Sequence, residues 1–311
     1  MDKEEARIEI LLAAYNGERF IREQIDSILA QTDDGWHLTL SDDGSTDGTP
    51  EILDAYARLY PEKIAFRRAG RRFGNARDHF FDLMRRCGAA YMMFCDQDDV
   101  WRPDKVAKTR AAMREAEDSC GAQMPVLVFS DQTPTDAQLR PLAPSLMRYQ
   151  KQDFRAFDYR GILMQNVVTG GAMMINRALA ELGGRCADTS QVVMHDWWLA
   201  AVAARFGRIA YIDELLGAYR QHGENSVGAK DVGSVAYVKK TLSGLDELKR
   251  RIEKKKRQSQ VFLKTYEAQL NADDLAFLRG FGKKHSGIRF YGRHHKLLHG
   301  FCRRAGFVIL G

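Results

Sequence analysis

The chain has few cysteines and no long apolar run, and these absences exclude several classes of protein. Five cysteines are scattered without paired spacing over 311 residues: Cys87, Cys95, Cys120, Cys186 and Cys302. This usage argues against a disulfide framework or a zinc site and is typical of reduced thiols in a cytosolic protein. No segment approaches the roughly 18 consecutive apolar residues of a membrane span, and residues 1–7 are too charged for a secretory signal. We therefore expect a cytoplasmic protein.

Two phosphate-binding signatures are also missing. No Gly-x-Gly-x-x-Gly follows the first predicted strand, which argues against a dinucleotide-dependent oxidoreductase. No Gly-x-x-x-x-Gly-Lys-Ser/Thr occurs anywhere, which argues against a P-loop nucleotide hydrolase. The length and the 45% hydrophobic content are nevertheless ample for a sizeable core, in one large domain with an appendage or in two domains.

Acidic side chains are absent from the C-terminal end. None follows Asp274, whereas eight basic residues do, interleaved with aromatic and aliphatic side chains: Arg279, Lys283, Lys284, Arg289, Arg293, Lys296, Arg303 and Arg304. Such a segment can lie on an anionic membrane surface, bind nucleic acid, or form a solvated helix. We expect contact with the inner face of the cytoplasmic membrane, with a solvated helix as the alternative and no nucleic-acid partner.

Strand and helix signals alternate in the first half, which is the pattern of an α/β domain. Predicted strands cover residues 8–14, 36–40, 64–67, 91–95 and 126–130, and predicted helices cover 18–31, 51–60 (with Thr49 as N-cap), 75–86 and 103–116. Residues 131–165 are predicted to be irregular, followed by order at 170–175, a helix at 195–206 and a strand pair at 209–219. The composition then becomes basic and helical, which predicts two domains, 1–230 and 231–311.

Polar clusters follow three of the predicted strands. They are Ala14-Tyr15-Asn16-Gly17, Asp42-Asp43-Gly44-Ser45 and Asp96-Gln97-Asp98-Asp99. Ligands of open α/β sheets bind beyond the carboxyl ends of the strands, so these clusters are expected to converge. Three carboxylates in four positions after an apolar run are costly to desolvate without a cation, and a divalent metal bound to a diphosphate would supply one. The alternative for the third cluster is a solvated acidic turn, and the alternative for the second is a turn with an N-cap.

These motifs, with His195-Asp196-Trp197-Trp198, resemble those of family 2 glycosyltransferases, which are inverting enzymes with the GT-A fold. The combination of Asp96-Gln97-Asp98-Asp99-Val100-Trp101 with Tyr219-Arg220-Gln221-His222-Gly223 resembles the rhamnosyltransferase-like branch that builds bacterial surface polysaccharides. The resemblance covers residues 7–228. It implies a Rossmann-like, mixed and mainly parallel sheet flanked by helices, with the helical basic C-terminal region outside it.

The resemblance also implies roles for individual residues. Asp196 would be the catalytic base that deprotonates the acceptor hydroxyl, although a simple helix-start charge is the alternative. Asp98, with Asp96 and His222, would hold Mg²⁺ or Mn²⁺. The remaining substrate-binding candidates are Ala14, Tyr15, Asn16, Asp42, Asp43, Asp96, Gly171, His195, Trp197 and Arg220, with Asp43 as reader of the nucleotide base. Where the family often has Glu or Asp, this chain has His195, which we expect to contact the acceptor or support Asp196.

We expect metal-dependent transfer of a sugar from a dTDP- or UDP-linked nucleotide sugar. Rhamnose is the leading prediction for the transferred sugar. The acceptor would be a glycan or a polyprenyl-linked glycan. Two alternatives remain at this point. A nucleotidyltransferase also uses paired Asp on an α/β sheet, but it usually needs a Gly-rich basic loop that residues 13–17 lack. A nucleotide-sugar or glycan-binding module without turnover is the other.

Overall fold

An eight-stranded sheet forms the centre of the protein. The computed structural model describes residues 7–152, 158–223, 245–282 and 290. The strands are β1 Ile8–Ala14, β2 Trp36–Asp42, β3 Ile64–Arg68, β4 Tyr91–Cys95, β5 Val100–Trp101, β6 Val126–Thr135, β7 Met173–Asn176 and β8 Arg208–Arg220, in the order β3-β2-β1-β4-β7-β6-β8-β5. Strands β1 to β4 are parallel, and β7 runs antiparallel to β4 and β6. The loops after β1, β2 and β4 therefore meet at one edge.

Helices flank the sheet. They are α1 Ile21–Leu29, α2 Thr49–Leu59, α3 Ala76–Arg86, α4 Lys105–Cys120, α5 Leu146–Tyr149, α6 Tyr159–Met164, α7 Arg177–Gly183, α8 His195–Phe206, α9 Leu245–Tyr266 and α10 Ala272–Gly282. Asn75 caps α3 by accepting a hydrogen bond from the Asp78 amide. The prediction of Thr49 as N-cap of α2 is wrong, because Gly48 occupies that position and the Thr49 hydroxyl accepts a hydrogen bond from the Gly17 amide at 2.8 Å.

The middle of the chain differs most from the prediction. Strand β6 continues five residues beyond Ser130, because it stays paired with β8 as far as Thr135. Within this extension, Asp131 accepts hydrogen bonds from the Ser145 hydroxyl and the Met147 amide. The predicted strand pair at 209–219 is one long strand, β8, which follows β6 in parallel through two register shifts. The region 131–165 also contains the short helices α5 and α6.

The C-terminal helices share the core of the sheet domain. Ile252, Phe262 and Tyr266 of α9 and Phe277 and Phe281 of α10 are buried in the same apolar cluster as Trp198 of α8. The predicted boundary at residue 230 lies outside the described residues, as does the basic segment after Gly282 apart from Phe290, so both stay predictions. Within the described ranges, no helix is long and apolar enough to cross a membrane.

Candidate active site

The two carboxylates after β2 have different partners. Asp42 closes its own turn by accepting hydrogen bonds from the amides of Gly44 at 3.0 Å and Ser45 at 3.1 Å, and from the Ser45 hydroxyl. Asp43 instead accepts hydrogen bonds from the amides of Phe73 at 2.5 Å and Gly74 at 2.7 Å, in the loop after β3. The geometry favours a turn role for Asp42, whereas Asp43 joins two loops at the sheet edge.

Tyr15, after β1, is the exposed aromatic ring of this edge, with 41% of its surface accessible. The Gln97 side chain forms two hydrogen bonds with the Tyr15 backbone. It accepts from the Tyr15 amide at 2.8 Å and donates to the Tyr15 carbonyl at 3.0 Å. Arg72 donates to the Tyr15 hydroxyl at 2.6 Å and lies 5.0 Å from the ring centroid. Asn16 adopts φ of 50° beside it, and its side chain accepts from the Thr46 amide.

Sequence reasoning missed Gln97 and Arg72. The signal for Arg72 was available, because four arginines fall between residues 67 and 72, at the end of β3 and in the loop that follows it, at the edge where the other clusters lie. Gln97 sits between the two aspartates of the Asp-x-Asp motif, and nothing in its sequence context points to Tyr15. It links the loop after β1 to the acidic loop after β4, which consists of residues 96–99.

The acidic loop begins where β4 ends at Cys95, so Asp96 and Asp98 lie beyond the strand. The Asp98 Oδ2 lies 2.7 Å from His222 Nε2. Asp96 Oδ2 faces Gly171, where an added Cβ would lie 3.2 Å away. Asp99 is fully buried and accepts from the Arg220 amide at 3.0 Å, while its Oδ2 has no hydrogen-bond partner among the described residues.

Burial dominates the electrostatics of this loop. Desolvation, with repulsion from Asp98 and Asp196, raises the pKa of Asp96 to about 7. Desolvation also raises the pKa of Asp99 well above its usual range. Lys105 of α4 is fully buried beside them, and desolvation lowers its pKa to about 8 although Asp99 and Asp96 oppose that shift. Such a concentration of carboxylates favours the binding of a cation.

Arg220 fastens the end of β8 to the acidic loop. Its Nε donates to the Asp98 carbonyl at 2.7 Å, and its Nη2 forms an ion pair with Glu23 at 2.7 Å. The guanidinium also lies 4.5 Å from the centroid of the Phe20 ring. Because only 1% of Arg220 is exposed, this geometry favours a role in holding the loop. Its role in substrate binding stays a prediction.

The donor atoms beside Asp98 suit a hard divalent metal. No group of three or more His, Cys, Asp or Glu side chains with metal-binding geometry occurs in the described part of the chain. The Asp98–His222 pair supplies one carboxylate and one imidazole, and its 2.7 Å contact shows that both can reach one point. Mg²⁺ and Mn²⁺ commonly take few protein ligands and complete their shell with phosphate oxygens and water. The pair therefore fits such an ion when a diphosphate is present.

Asp196 lies in the first turn of α8 and is 9% exposed. Its Oδ1 accepts from the Trp197 amide at 2.5 Å and its Oδ2 from the Gly170 amide at 3.1 Å. Burial raises the pKa of this carboxyl to about 7, although these hydrogen bonds oppose the shift. A carboxylate with that pKa can accept a proton near neutral pH, as a general base requires.

His195 and Trp197, which flank Asp196, both pack into the protein. The His195 ring contacts Phe80 and Phe94, with centroid distances of 4.3 and 4.9 Å. Neither ring nitrogen has a hydrogen-bond partner among the described residues, and burial lowers the pKa to about 3, so the ring is neutral. This environment favours a packing role over the predicted acceptor contact. Trp197 is half-buried, and its Nε1 donates to the Ile162 carbonyl at 2.5 Å.

The C-terminal helix α9 supports the segment that carries Asp196. Gln258 is fully buried, and its Oε1 accepts from the Val193 amide at 2.8 Å, three residues before Asp196. Lys255 Nζ lies 5.7 Å from the centroid of the Trp197 ring. Farther along, Asp274 of α10 accepts hydrogen bonds from the Tyr159 hydroxyl and from Arg205 Nε at 2.5 Å. The position of Asp196 therefore depends on residues outside the predicted first domain.

If Asp196 is the base that the family resemblance implies, the transfer rate should rise with pH through about 7. Only the ionised form of Asp196 can accept a proton, so kcat/KM, which reports the free protein, should fall about tenfold for each pH unit below its pKa. Measuring kcat/KM between about pH 5.5 and 8.5 tests this expectation. A rate that is independent of pH across this range would contradict it.

Comparison with known proteins identifies the family. The sequence profile of Glycosyl transferase family 2 matches residues 9–183, more than half of the chain. A dTDP-rhamnosyl transferase of Shigella flexneri, RfbG, is 28% identical over 235 residues, which cover 70% of this chain and 74% of RfbG. Asp196 and His222 lie beyond the segment that the family profile matches.

Two solved structures share the fold. The Staphylococcus aureus protein TarS (residues 1–349), solved with UDP, superimposes with a TM-score of 0.56 at 12% identity, covering 97% of this chain and 90% of that one. The Pyrobaculum calidifontis mannosyltransferase PcManGT, solved with GDP-Man and Mn²⁺, superimposes with a TM-score of 0.54 at 15% identity. The match covers 99% of this chain and 86% of PcManGT. The predicted GT-A fold is confirmed. The chain therefore belongs to glycosyl transferase family 2 and is a glycosyltransferase.

Proposed function

We propose that the protein is a metal-dependent, inverting transferase of bacterial surface polysaccharide synthesis. It moves a sugar, with rhamnose as the leading choice, from a dTDP- or UDP-linked donor to a glycan or polyprenyl-linked glycan. The observation that carries this proposal is the convergence of Tyr15, Asp43, the acidic loop and Asp196 at one edge of the sheet. The dTDP-rhamnosyl transferase relative and the UDP, GDP-Man and Mn²⁺ of the structural neighbours support it.

The donor nucleotide would bind at the loops after β1, β2 and β3. The exposed Tyr15 ring offers a flat surface to a base, and Arg72 lies against that ring. Asp43 is fixed by the Phe73 and Gly74 amides, so its carboxylate is held at the base of this surface. A carboxylate there can accept hydrogen bonds from N–H groups of a base or from ribose hydroxyls. Ala14 and Asn16 would contribute backbone to the same pocket.

Asp98 and His222, with Asp96 nearby, would hold Mg²⁺ or Mn²⁺. Such an ion, when bound, neutralises charge on the diphosphate of the leaving nucleotide. Arg220 would keep the acidic loop in place through its bonds to Asp98 and Asp99. Gly171 would contribute backbone beside Asp96, where an added Cβ would lie 3.2 Å from Asp96 Oδ2.

Asp196 would take the proton of the acceptor hydroxyl. The acceptor oxygen forms a bond to the anomeric carbon from the side opposite the nucleotide, and the bond from that carbon to the phosphate oxygen breaks. The electron pair leaves with the nucleoside diphosphate, and the proton stays on Asp196, so the configuration inverts. Trp197, one residue along, would line the acceptor side with Lys255.

Membrane contact is proposed for the C-terminal region. Helix α9 exposes the cations Lys249, Lys254 and Arg257. Arg250 of the same helix forms an ion pair with Glu247. These cations would favour an anionic surface, at which a polyprenyl-linked acceptor would be found. The protein would then work at the inner face of the cytoplasmic membrane.

The donor site is tested by thermal unfolding with dTDP, UDP, GDP and CMP, each with and without Mn²⁺. A ligand at about 100 times its Kd should stabilise the fold by roughly 2.7 kcal/mol. We expect stabilisation by one nucleotide, dependent on the metal and absent in Asp98→Asn. The exposed Asp118→Asn serves as the matched control. Lack of a shift with any nucleotide would argue against the donor site.

A further inference from the structure

Lys105 is a buried lysine that the proposed mechanism does not use. It begins α4, and its side chain is fully inaccessible to solvent. Its Nζ donates to the Gly171 carbonyl at 2.5 Å and lies 4.0 Å from the centroid of the Trp101 ring. A buried ammonium is costly unless neighbouring groups compensate it, so its surroundings show what it holds. These surroundings are the Gly170–Ala172 turn, the Trp101 ring and the carboxylates of the acidic loop.

The Gly170–Ala172 turn connects this lysine to Asp196. The Gly170 amide donates to Asp196 Oδ2, and the next carbonyl group along the chain, that of Gly171, accepts from Lys105. Neighbouring groups leave the turn little room to shift. A Cβ on Gly170 would lie 2.9 Å from His195 Nε2, and one on Gly171 would lie 3.1 Å from Asp99 Oδ2 and 3.2 Å from Asp96 Oδ2. The turn is therefore held between α8, the acidic loop and α4.

We propose that Lys105 is a positioning residue for the transfer reaction, which fixes the Gly170–Gly171 backbone so that the Gly170 amide holds Asp196 at a set distance from the acidic loop. The inference rests on the proposed role of Asp196. It assigns the lysine two separable effects. Its charge offsets the Asp99 and Asp96 carboxylates, and its hydrogen bond fixes the turn. Small displacements of a catalytic group can lower rates strongly, so the second effect should appear in kcat.

A double variant separates the two effects. Lys105→Met alone leaves Asp99 without its neighbouring cation and could fail to fold. Lys105→Met combined with Asp99→Asn removes one positive and one negative charge with little change in volume. We expect it to fold, to bind the donor nucleotide within about threefold of wild type and to lose at least about tenfold in kcat. Asp99→Asn alone is the reference against which this loss of kcat is measured. Lys108→Met on the same helix, where the half-buried ammonium pairs with Glu214, is the control and should keep kcat within about threefold of wild type.

Hydrogen exchange supplies a measurement that does not need turnover. Peptides that contain residues 170–172 should exchange faster in the double variant, while those from β1 and β4 should not change. Unchanged hydrogen exchange of the turn in the double variant, or a kcat of that variant within about threefold of wild type, would overturn the inference. Lys105 would then serve only to balance the charge of the neighbouring carboxylates. Loss of kcat in the double variant with full activity in Asp196→Asn would also overturn it. Failure of the proposed function would appear separately, as absence of transfer by the wild-type protein, and the exchange result would still decide the inference.

Discussion

Asp196→Asn is expected to lower the rate of sugar transfer by about 10²–10⁴-fold, the range that a general base supplies. Asparagine has the same shape, and its amide oxygen can still accept one of the two backbone hydrogen bonds, from Gly170 or from Trp197. It cannot take up the proton of the acceptor hydroxyl at neutral pH. Donor binding should remain within about threefold of wild type, because the residues proposed to bind the donor, Tyr15, Asp43 and Asp98, are unchanged.

The same substitution should cost the fold less stability at alkaline pH than at acidic pH. The pKa of Asp196 is about 7 in the folded protein, above its ordinary value of 3.8, so ionising it costs folding stability. That cost appears as pH rises from about 4 and is complete above about 7. Asparagine removes this cost but gives up one of the two backbone hydrogen bonds, so the stability of the variant relative to wild type should be higher at pH 8 than at pH 5. Transfer near the wild-type rate in Asp196→Asn would show that another group is the base.

A chain that ends at residue 230 is expected not to fold. It would lose seven buried apolar side chains from the shared core: Ile252, Phe262, Tyr266, Leu270, Phe277, Leu278 and Phe281. At about 1.5–3 kcal/mol each, their burial contributes on the order of 10–20 kcal/mol, comparable to or above the whole stability of a typical domain. The truncation would also expose Trp198, which stacks on Tyr266 with 5.8 Å between centroids.

This prediction is measured by circular dichroism and thermal unfolding of residues 1–230. A chain that ends at residue 290 is the matched control, because it keeps every described helix. The control should unfold cooperatively, and the shorter chain should show no cooperative transition. If residues 1–230 unfolded cooperatively and bound the nucleotide, they would form an independent domain, as the composition shift after residue 228 indicates.

The sequence predicts those features that depend on local pattern. Strands β1 and β4 have the predicted bounds, because a mainly apolar run between polar loops, broken only by Glu9 in β1, is the signal of a buried parallel strand. The convergence of the loops after β1, β2 and β4 follows from the parallel order, since the carboxyl ends of such strands share an edge. The strand order does not predict which role each residue takes when several residues of one type lie in those loops.

The two site histidines illustrate what a single sequence leaves open. Both His195 and His222 were candidates for the site. His222 reaches Asp98 across 124 positions of sequence, whereas His195 is enclosed by Phe80 and Phe94 and has no polar partner among the described residues. Which environment each histidine meets depends on long-range packing, which leaves no local sequence signal. The same holds for Lys105, whose contact with Gly171 joins residues 66 positions apart.

The most direct test of the account is a transfer assay with the wild-type protein. The protein would be incubated with Mn²⁺, dTDP-rhamnose and a lipid-linked saccharide extract, with UDP- and GDP-sugars as alternative donors. Release of nucleoside diphosphate and the mass of the extended saccharide would both be followed. The account predicts metal-dependent release from one donor, matched by a product one sugar larger and absent in Asp196→Asn. Nucleotide binding without release or product, for every donor, would contradict the account and indicate a binding module.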